Sequence, residues 1–175
     1  MSRPGPLVQH VTELRRHLGA RNPVTGPVVL DGLALSTAWV PTGAALELDL
    51  VLEAIFDGVT VSGTVTAPWQ GECRRCLGPV EGRLAVDVQE VFETRPTEGE
   101  TWPLVGDEID LEPVVRDAVL LSLPLAPLCA EDCAGPAPDA YPATVEAEEV
   151  DDGGDRDGPP VDPRWAALRD LDLGG

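Results

Sequence analysis

The chain has 175 residues, of which 43% are apolar, enough for one domain with a hydrophobic core, so wholesale disorder is excluded. The net charge is −19, and all 12 basic residues are arginines. Because nucleic acids and anionic lipids are bound mainly by neutralising their phosphates with Lys and Arg, this charge disfavours direct RNA or membrane binding and is compatible with a basic partner.

The N-terminal segment indicates the compartment. Residues 1–6 contain no apolar run after a basic start, so we expect no secretory signal. No stretch reaches the roughly 18 apolar residues that a membrane helix needs, and we therefore expect a cytoplasmic protein. In that compartment the four cysteines are expected to be free thiols or metal ligands rather than disulfides.

The first predicted element is a short amphipathic helix at the N-terminus. Leu7, Val11, Leu14 and Leu18 recur at helical spacing. Gly19 follows this stripe directly, where a glycine commonly ends a helix.

Between about residue 28 and residue 92 the apolar period changes to two, which predicts strands. Asp57-Gly58 separates the two clearest strands and is expected to supply the positive φ angles of a tight hairpin. A pair of short strands is expected around Asp31-Gly32. Because one face is apolar and the other polar, we predict a curved, partly barrel-like antiparallel sheet that is solvated on one side. The inward positions are Leu46, Leu48, Leu50, Leu52, Val59, Val61, Val65, Leu84, Val86 and Val88.

A packed helix is predicted near residues 110–122. Asp110 is a suitable N-cap, and Pro113 is tolerated because it falls in the first turn. Glu112 and Arg116 have the spacing of an i, i+4 ion pair. Beyond Arg116 the segment is almost entirely apolar, so we expect it to be buried against the sheet.

The composition changes after residue 135. Residues 136–161 are rich in Pro, Gly and acidic side chains, which predicts a disordered acidic linker. Asp162, Pro163 and Trp165 then suggest the start of a short C-terminal helix over residues 162–172. The predicted organisation is therefore an α+β domain over residues 1–135, the linker, and this terminal helix.

Two short-spaced cysteine pairs are the most chemically suggestive feature of the sequence. Cys73 and Cys76 are separated by two residues, and Cys129 and Cys133 by three. Two such pairs in one small domain can provide the four thiolates of a tetrahedral zinc site. Two other interpretations stay open: Cys73 and Cys76 as a redox pair with flanking arginines, or thiols that are simply packed.

Five stretches together resemble a known family. They read GTVT at 63–66, CRRCL at 73–77, IDLEPVVRDAVLLSLP at 109–124, CAEDCAG at 129–135 and DPRWAAL at 162–168. In this order they resemble the YceD family, bacterial proteins linked to accumulation of large-subunit ribosomal RNA, with relatives in plastids. Many relatives from GC-rich bacteria have two further cysteines where this chain has Ala137 and Ala140. The resemblance therefore implies a zinc site that is either built from Cys129 and Cys133 or lost.

The sequence offers no evident catalytic centre. There is no lysine for a phosphate-binding loop or a Schiff base, and both histidines, His10 and His17, lie in the predicted N-terminal helix. No pair of carboxylates stands out among the many acidic residues. We therefore expect a protein that is not an enzyme.

The resemblance implies a non-catalytic accessory factor that supports large-subunit ribosome biogenesis. Its expected partner is a basic protein, such as a ribosomal or ribosome-assembly protein, rather than RNA. The alternatives are a thiol redox protein that uses Cys73 and Cys76, and a purely structural zinc-binding module.

Overall fold

The computed structural model of the chain describes residues 7–137 and 139–140, and within them strands predominate. The elements in chain order are β1 (Val8–His10), a 3-10 helix (Leu14–Arg16), β2 (Arg21–Val29), β3 (Ala38–Trp39), β4 (Ala45–Ile55), β5 (Gly58–Glu72), β6 (Pro79–Glu93), β7 (Trp102–Pro103), β8 (Glu108–Asp110) and α1 (Glu112–Ser122).

The main sheet has the strand order β2-β4-β5-β6-β7, and β3 also pairs with β5. Its pairings are antiparallel except for the short parallel contact between β6 and β7. The longest strands, β5 and β6, have 15 residues each and pair over their whole length. Among the described residues β2 and β7 form the two ends of the sheet and do not pair, so the expected barrel-like closure is wrong.

The segment predicted to be an N-terminal helix forms a strand and a 3-10 helix instead. β1 pairs antiparallel with β8, with Gln9 opposite Ile109. Leu7 and Val11 are buried, whereas Leu18 is 70% exposed. A spacing of four residues places side chains on one face of a helix and also on one face of a strand, so Leu7 and Val11 could not distinguish the two.

The single α-helix of the described residues, α1, packs against the main sheet. The Oδ1 of Asp110 accepts a hydrogen bond from the Glu112 N–H at 3.0 Å, and Pro113 lies in the first turn. The predicted i, i+4 pair is confirmed, because Arg116 donates to Glu112 Oε1 at 2.9 Å. Arg116 also donates to the Asp31 carbonyl at 2.8 Å, which ties the helix to the loop after β2. The buried positions of α1 are Val114, Val115 and Val119.

The β4–β5 hairpin supplies the centre of the core. Ile55 pairs with Gly58, so the chain turns through Phe56 and Asp57. Gly58 does not adopt the positive φ angle predicted for it. A Cβ atom there would instead collide with the carbonyl of Phe92 in β6, so glycine permits a close approach of two strands. The predicted inward residues Leu46, Leu48, Leu50, Leu52, Val59, Val61 and Val65 are all buried.

The predicted α+β class is wrong, because the described residues form a sheet-dominated fold and the N-terminal helix is absent from them. None of the helices in this part of the chain has the length and apolarity to cross a membrane. The predicted terminal helix over 162–172 and most of the predicted linker lie outside the described residues.

Candidate metal centre

The first cysteine loop (residues 73–78) joins β5 to β6. Cys73 follows the last residue of β5, and its N–H donates to the Gly78 carbonyl at 2.8 Å. The Leu77 N–H donates back to the Cys73 carbonyl at 2.8 Å. These two bonds close a tight turn in which Cys73 and Cys76 can direct their sulfurs to one point.

The second cysteine loop (residues 127–134) lies beyond α1. Inside it, the Cys133 N–H donates to the Ala130 carbonyl at 3.2 Å, which curls the segment between Cys129 and Cys133. The Arg74 N–H of the first cysteine loop donates to the Pro127 carbonyl at 2.9 Å. The backbone of the two loops is therefore joined directly.

The structure brings all four cysteines of the sequence together. Their Sγ atoms lie within 4.8 Å of one another. Two contacts run between the loops: 3.8 Å from Cys73 to Cys133, and 3.7 Å from Cys76 to Cys129. All four are free thiols; Cys73 is buried, Cys129 is exposed, and the other two are intermediate.

This arrangement fits a tetrahedral metal ion. Four sulfurs bound to zinc at about 2.3 Å are separated by about 3.8 Å in an ideal tetrahedron. The two inter-loop sulfur distances equal that separation within about 0.1 Å, and no sulfur distance in the cluster exceeds it by more than about 1 Å. Thiolates are the ligands that soft and borderline metals such as zinc prefer, so the four cysteines could hold such an ion.

The cysteine pKa values differ between the two loops. Hydrogen bonds from the backbone N–H groups of Cys76 and Cys129 lower the pKa of Cys73 from 9.0 to about 6. Hydrogen bonding with the Cys133, Cys76 and Cys73 side chains raises the pKa of Cys129 from 9.0 to about 12. Cys73 is therefore largely a thiolate at neutral pH, whereas Cys129 keeps its proton until a metal displaces it.

Arg75 is a site residue that the sequence interpretation missed. Its Nη1 donates to the carbonyls of Glu131 and Cys133, each at 3.0 Å, so one guanidinium clamps the second cysteine loop to the first. The sequence indicated only that arginines flank Cys73 and Cys76. Nothing in its local pattern distinguishes Arg75 from Arg74.

Leu77 is a second feature without a sequence signal. Its φ angle is 59°, and it is the only non-glycine residue of the described part with positive φ. The side chain is 70% exposed, so packing does not compensate for the left-handed backbone. The turn that positions Cys76 therefore stores strain.

Ala137 and Ala140 do not interrupt the cluster. The sequence left open whether their presence meant a site built from Cys129 and Cys133 or a lost site. The structure places Cys129 and Cys133 against Cys73 and Cys76, so four thiols converge without further ligands. Ala137 accepts a hydrogen bond from the Ala140 N–H at 3.1 Å beyond the cluster.

Comparisons with known proteins agree with the resemblance. The family described as large ribosomal RNA subunit accumulation protein YceD matches residues 61–172, a range that contains all four cysteines. A protein of Mycobacterium tuberculosis (strain ATCC 25618 / H37Rv), described as uncharacterized, is 38% identical over 95% of this chain and 81% of its own length.

Two further mycobacterial proteins, also described as uncharacterized, are similar to the chain. One from Mycobacterium bovis is 38% identical over 95% of this chain and 81% of its own length. One from Mycobacterium leprae is 36% identical over 95% of this chain and 77% of its own length. No solved structure matches the chain.

Proposed function

The chain belongs to the YceD family, and on this premise we propose that it is a non-catalytic accessory factor supporting accumulation of large-subunit ribosomal RNA. The observation that carries the proposal is the family match over residues 61–172. The similarity of the mycobacterial proteins over 95% of the chain extends the likeness to the strands that precede this range.

The electrostatics of the chain support a basic protein as its partner. The net charge is −19, and on the solvated face of the main sheet Glu47, Asp49 and Asp87 are exposed. On the same face Arg21 is already paired with Glu53 at 2.7 Å. Such a surface repels ribosomal RNA and attracts a basic ribosomal or ribosome-assembly protein. The proposed site of action is therefore the cytoplasm, where ribosomes are assembled.

The described residues also support a binding role rather than catalysis. No Asp, Glu, Arg or His side chain among them is buried. Catalytic acids and bases usually owe their reactivity to desolvation or to a close charged neighbour. The chemically distinctive cluster is the set of four cysteines, whose closed geometry suits a structural metal better than a substrate.

Deletion of the gene in the source bacterium tests the proposed function. We expect a lower ratio of large- to small-subunit ribosomal RNA and fewer large subunits in a sucrose-gradient profile, both restored by the full chain. Normal ratios and profiles in the deletion strain would refute the proposal. In extracts, association with a basic partner should weaken as salt rises, because salt screens the attraction between opposite charges.

A second proposal concerns the cysteines: they bind one zinc ion whose role is to hold the fold. The supporting observation is the pair of inter-loop Sγ distances of 3.7 and 3.8 Å. Four protein ligands leave no open position, which is typical of structural rather than catalytic zinc. The bound ion would fasten the end of β5 to the segment after α1.

The alternative of a redox pair is less well supported. A redox thiol must be both ionised and accessible. In the Cys73/Cys76 pair, Cys73 has a pKa of about 6 but is buried, and Cys76 is only partly exposed. Alkylating the free thiols should abolish a redox activity but leave a zinc-loaded binding factor able to associate with its partner. Loss of association in zinc-loaded protein would favour the redox alternative.

A further inference from the structure

The outer edge of β6 is the longest open strand edge among the described residues. On one side β6 pairs with β5 from residue 79 to residue 93. On the other side β7 covers only Phe92 and Glu93. In the described part of the chain no other backbone group bonds to residues 79–91 on that side.

The proline in β5 determines which groups of β6 face this edge. Pro68 lies opposite Arg83 and has no N–H, so this pair is not hydrogen-bonded within the ladder. Because antiparallel pairs alternate, every second residue of β6 directs both its N–H and its C=O away from β5. These residues are Glu81, Arg83, Ala85, Asp87, Gln89 and Val91.

The outer edge of β2, at the opposite end of the sheet, is protected against pairing with a further strand, and the outer edge of β6 is not. In β2, Pro23 lies opposite Val51 and Pro27 lies opposite Glu47. By the same alternation, both prolines fall at positions that face the open side of β2, where they remove two N–H donors. Between residues 80 and 91 β6 contains no proline, so all its outward N–H groups are free to donate hydrogen bonds to a further strand.

We propose that the β6 edge pairs with the β6 edge of a second copy of this chain, antiparallel and centred on Ala85. In this register Arg83 lies opposite Asp87 of the second copy, and Asp87 lies opposite Arg83 of the second copy. Two cross-strand ion pairs therefore form on the solvated face. Glu81 lies opposite the uncharged Gln89, so no like charges meet.

The charges select this register over its neighbours. Centring the pairing on Arg83 places two arginines opposite each other, and centring it on Asp87 does the same with two aspartates. Centring it on Leu84 brings Glu81 opposite Asp87. Centring it on Val86 brings no like charges together but places Arg83 opposite the uncharged Gln89, so the ion pairs are lost. The two Arg83–Asp87 ion pairs thus form only in the alignment centred on Ala85, while the same charges discourage unrelated strands from adding to the edge.

The other face of the edge offers apolar contacts to the same partner. Leu84 and Val86 are only partly buried, and the register centred on Ala85 places each opposite the other residue of the second copy. Leu121 of α1 is 87% exposed and lines the same crevice as Val86. A second copy at this edge would shield these side chains from water.

Sedimentation equilibrium of the full chain tests the pairing. We expect a monomer–dimer equilibrium between about 1 and about 100 µM protein. Arg83→Asp and Asp87→Arg should each raise the dissociation constant of the dimer about tenfold, because each creates two like-charge contacts. Combining the two substitutions in one chain should restore the dissociation constant of the parent chain. Thr64→Ala, which removes only the internal hydrogen bond to Asp87, should leave it unchanged.

Disulfide cross-linking tests the register even if a charge variant folds poorly. In a hydrogen-bonded pair centred on Ala85 the two Cα atoms lie about 5.5 Å apart, within disulfide range. Under mild oxidation Ala85→Cys should form a covalent dimer that the parent chain does not. Gln89→Cys, on the same edge but opposite Glu81, should not. A chain that stays monomeric throughout, or equal cross-linking of the two variants, would overturn the proposal.

Discussion

The Sγ atoms of Cys76 and Cys129 lie 3.7 Å apart, although 53 positions separate the two residues in the chain. Cys73 and Cys133 make the matching contact at 3.8 Å across 60 positions. Both contacts therefore join the two loops. A metal held by all four would connect the end of β5 with the segment after α1.

The first prediction concerns Arg75. Replacing it by alanine removes two hydrogen bonds to the second cysteine loop, at the Glu131 and Cys133 carbonyls. We expect zinc to dissociate about tenfold faster, because residues that orient ligands commonly affect metal affinity by that amount or more. The release rate can be followed with a colorimetric zinc chelator.

Arg74→Ala is the matched control for Arg75→Ala. It removes the same charge one residue away, but the contact of Arg74 with the second cysteine loop is made by its backbone N–H, which the substitution keeps. Zinc release from Arg74→Ala should match that of the parent chain. Equal acceleration by both substitutions would show that charge, and not the clamp, controls release.

The second prediction is that zinc affinity falls as the pH falls. Cys129, with its pKa of about 12, is protonated at neutral pH, so zinc must displace its proton. Affinity should therefore drop about tenfold per pH unit for each proton displaced. Below pH about 6 Cys73 also becomes protonated, and the slope should steepen. Competition titrations at several pH values measure this, and an affinity that is independent of pH would contradict it.

The third prediction concerns Gly63 in the middle of β5. Its φ angle is 143°, and a Cβ atom there would collide with the Asp49 carbonyl of β4. Gly63→Ala should lower the free energy of unfolding by about 3 kcal/mol, since it combines backbone strain with a steric clash. Ser62→Ala, at the exposed neighbouring position, should change it by less than about 0.5 kcal/mol. Urea denaturation compares the two, and similar values would contradict the prediction.

The fourth prediction concerns the strained turn. Leu77→Gly should raise the free energy of unfolding by about 0.5 kcal/mol, because relief of the left-handed backbone at φ 59° outweighs the added flexibility of glycine in the unfolded chain. Leu18 is equally exposed, at 70%, but has no positive φ, so Leu18→Gly should be destabilising. Effects of the same sign in urea denaturation would argue against stored strain at Leu77.

Part of the fold could be predicted because burial imposes a period of two on the sequence. Leu46, Leu48 and Leu50 alternate with Glu47 and Asp49 because one face of β4 is buried and the other is solvated. The β1 segment could not be predicted in the same way. The four-residue step from Leu7 to Val11 fits both a helix and a strand, and only the pairing with β8 decides between them.

The cysteine cluster could be predicted because the short spacing of metal ligands is visible in the sequence itself. Arg75 and Leu77 were not, because their roles arise from the approach of the second cysteine loop and from the closure of a turn. The role of Gly58 could not be predicted either, because it also depends on a contact with a distant part of the chain. Its place beside Asp57 suggested a turn residue, but its function is to admit the carbonyl of Phe92 from a neighbouring strand.

The metal content of protein purified without chelators tests the proposed metal centre most directly. We predict one zinc per folded parent chain, and substantially less in Cys129→Ser, which removes the exposed ligand. Asp132→Asn, a change in the same loop that leaves all four sulfurs in place, should retain the metal. A folded parent chain that carries substantially less than one zinc, and takes up none on titration, would contradict the account.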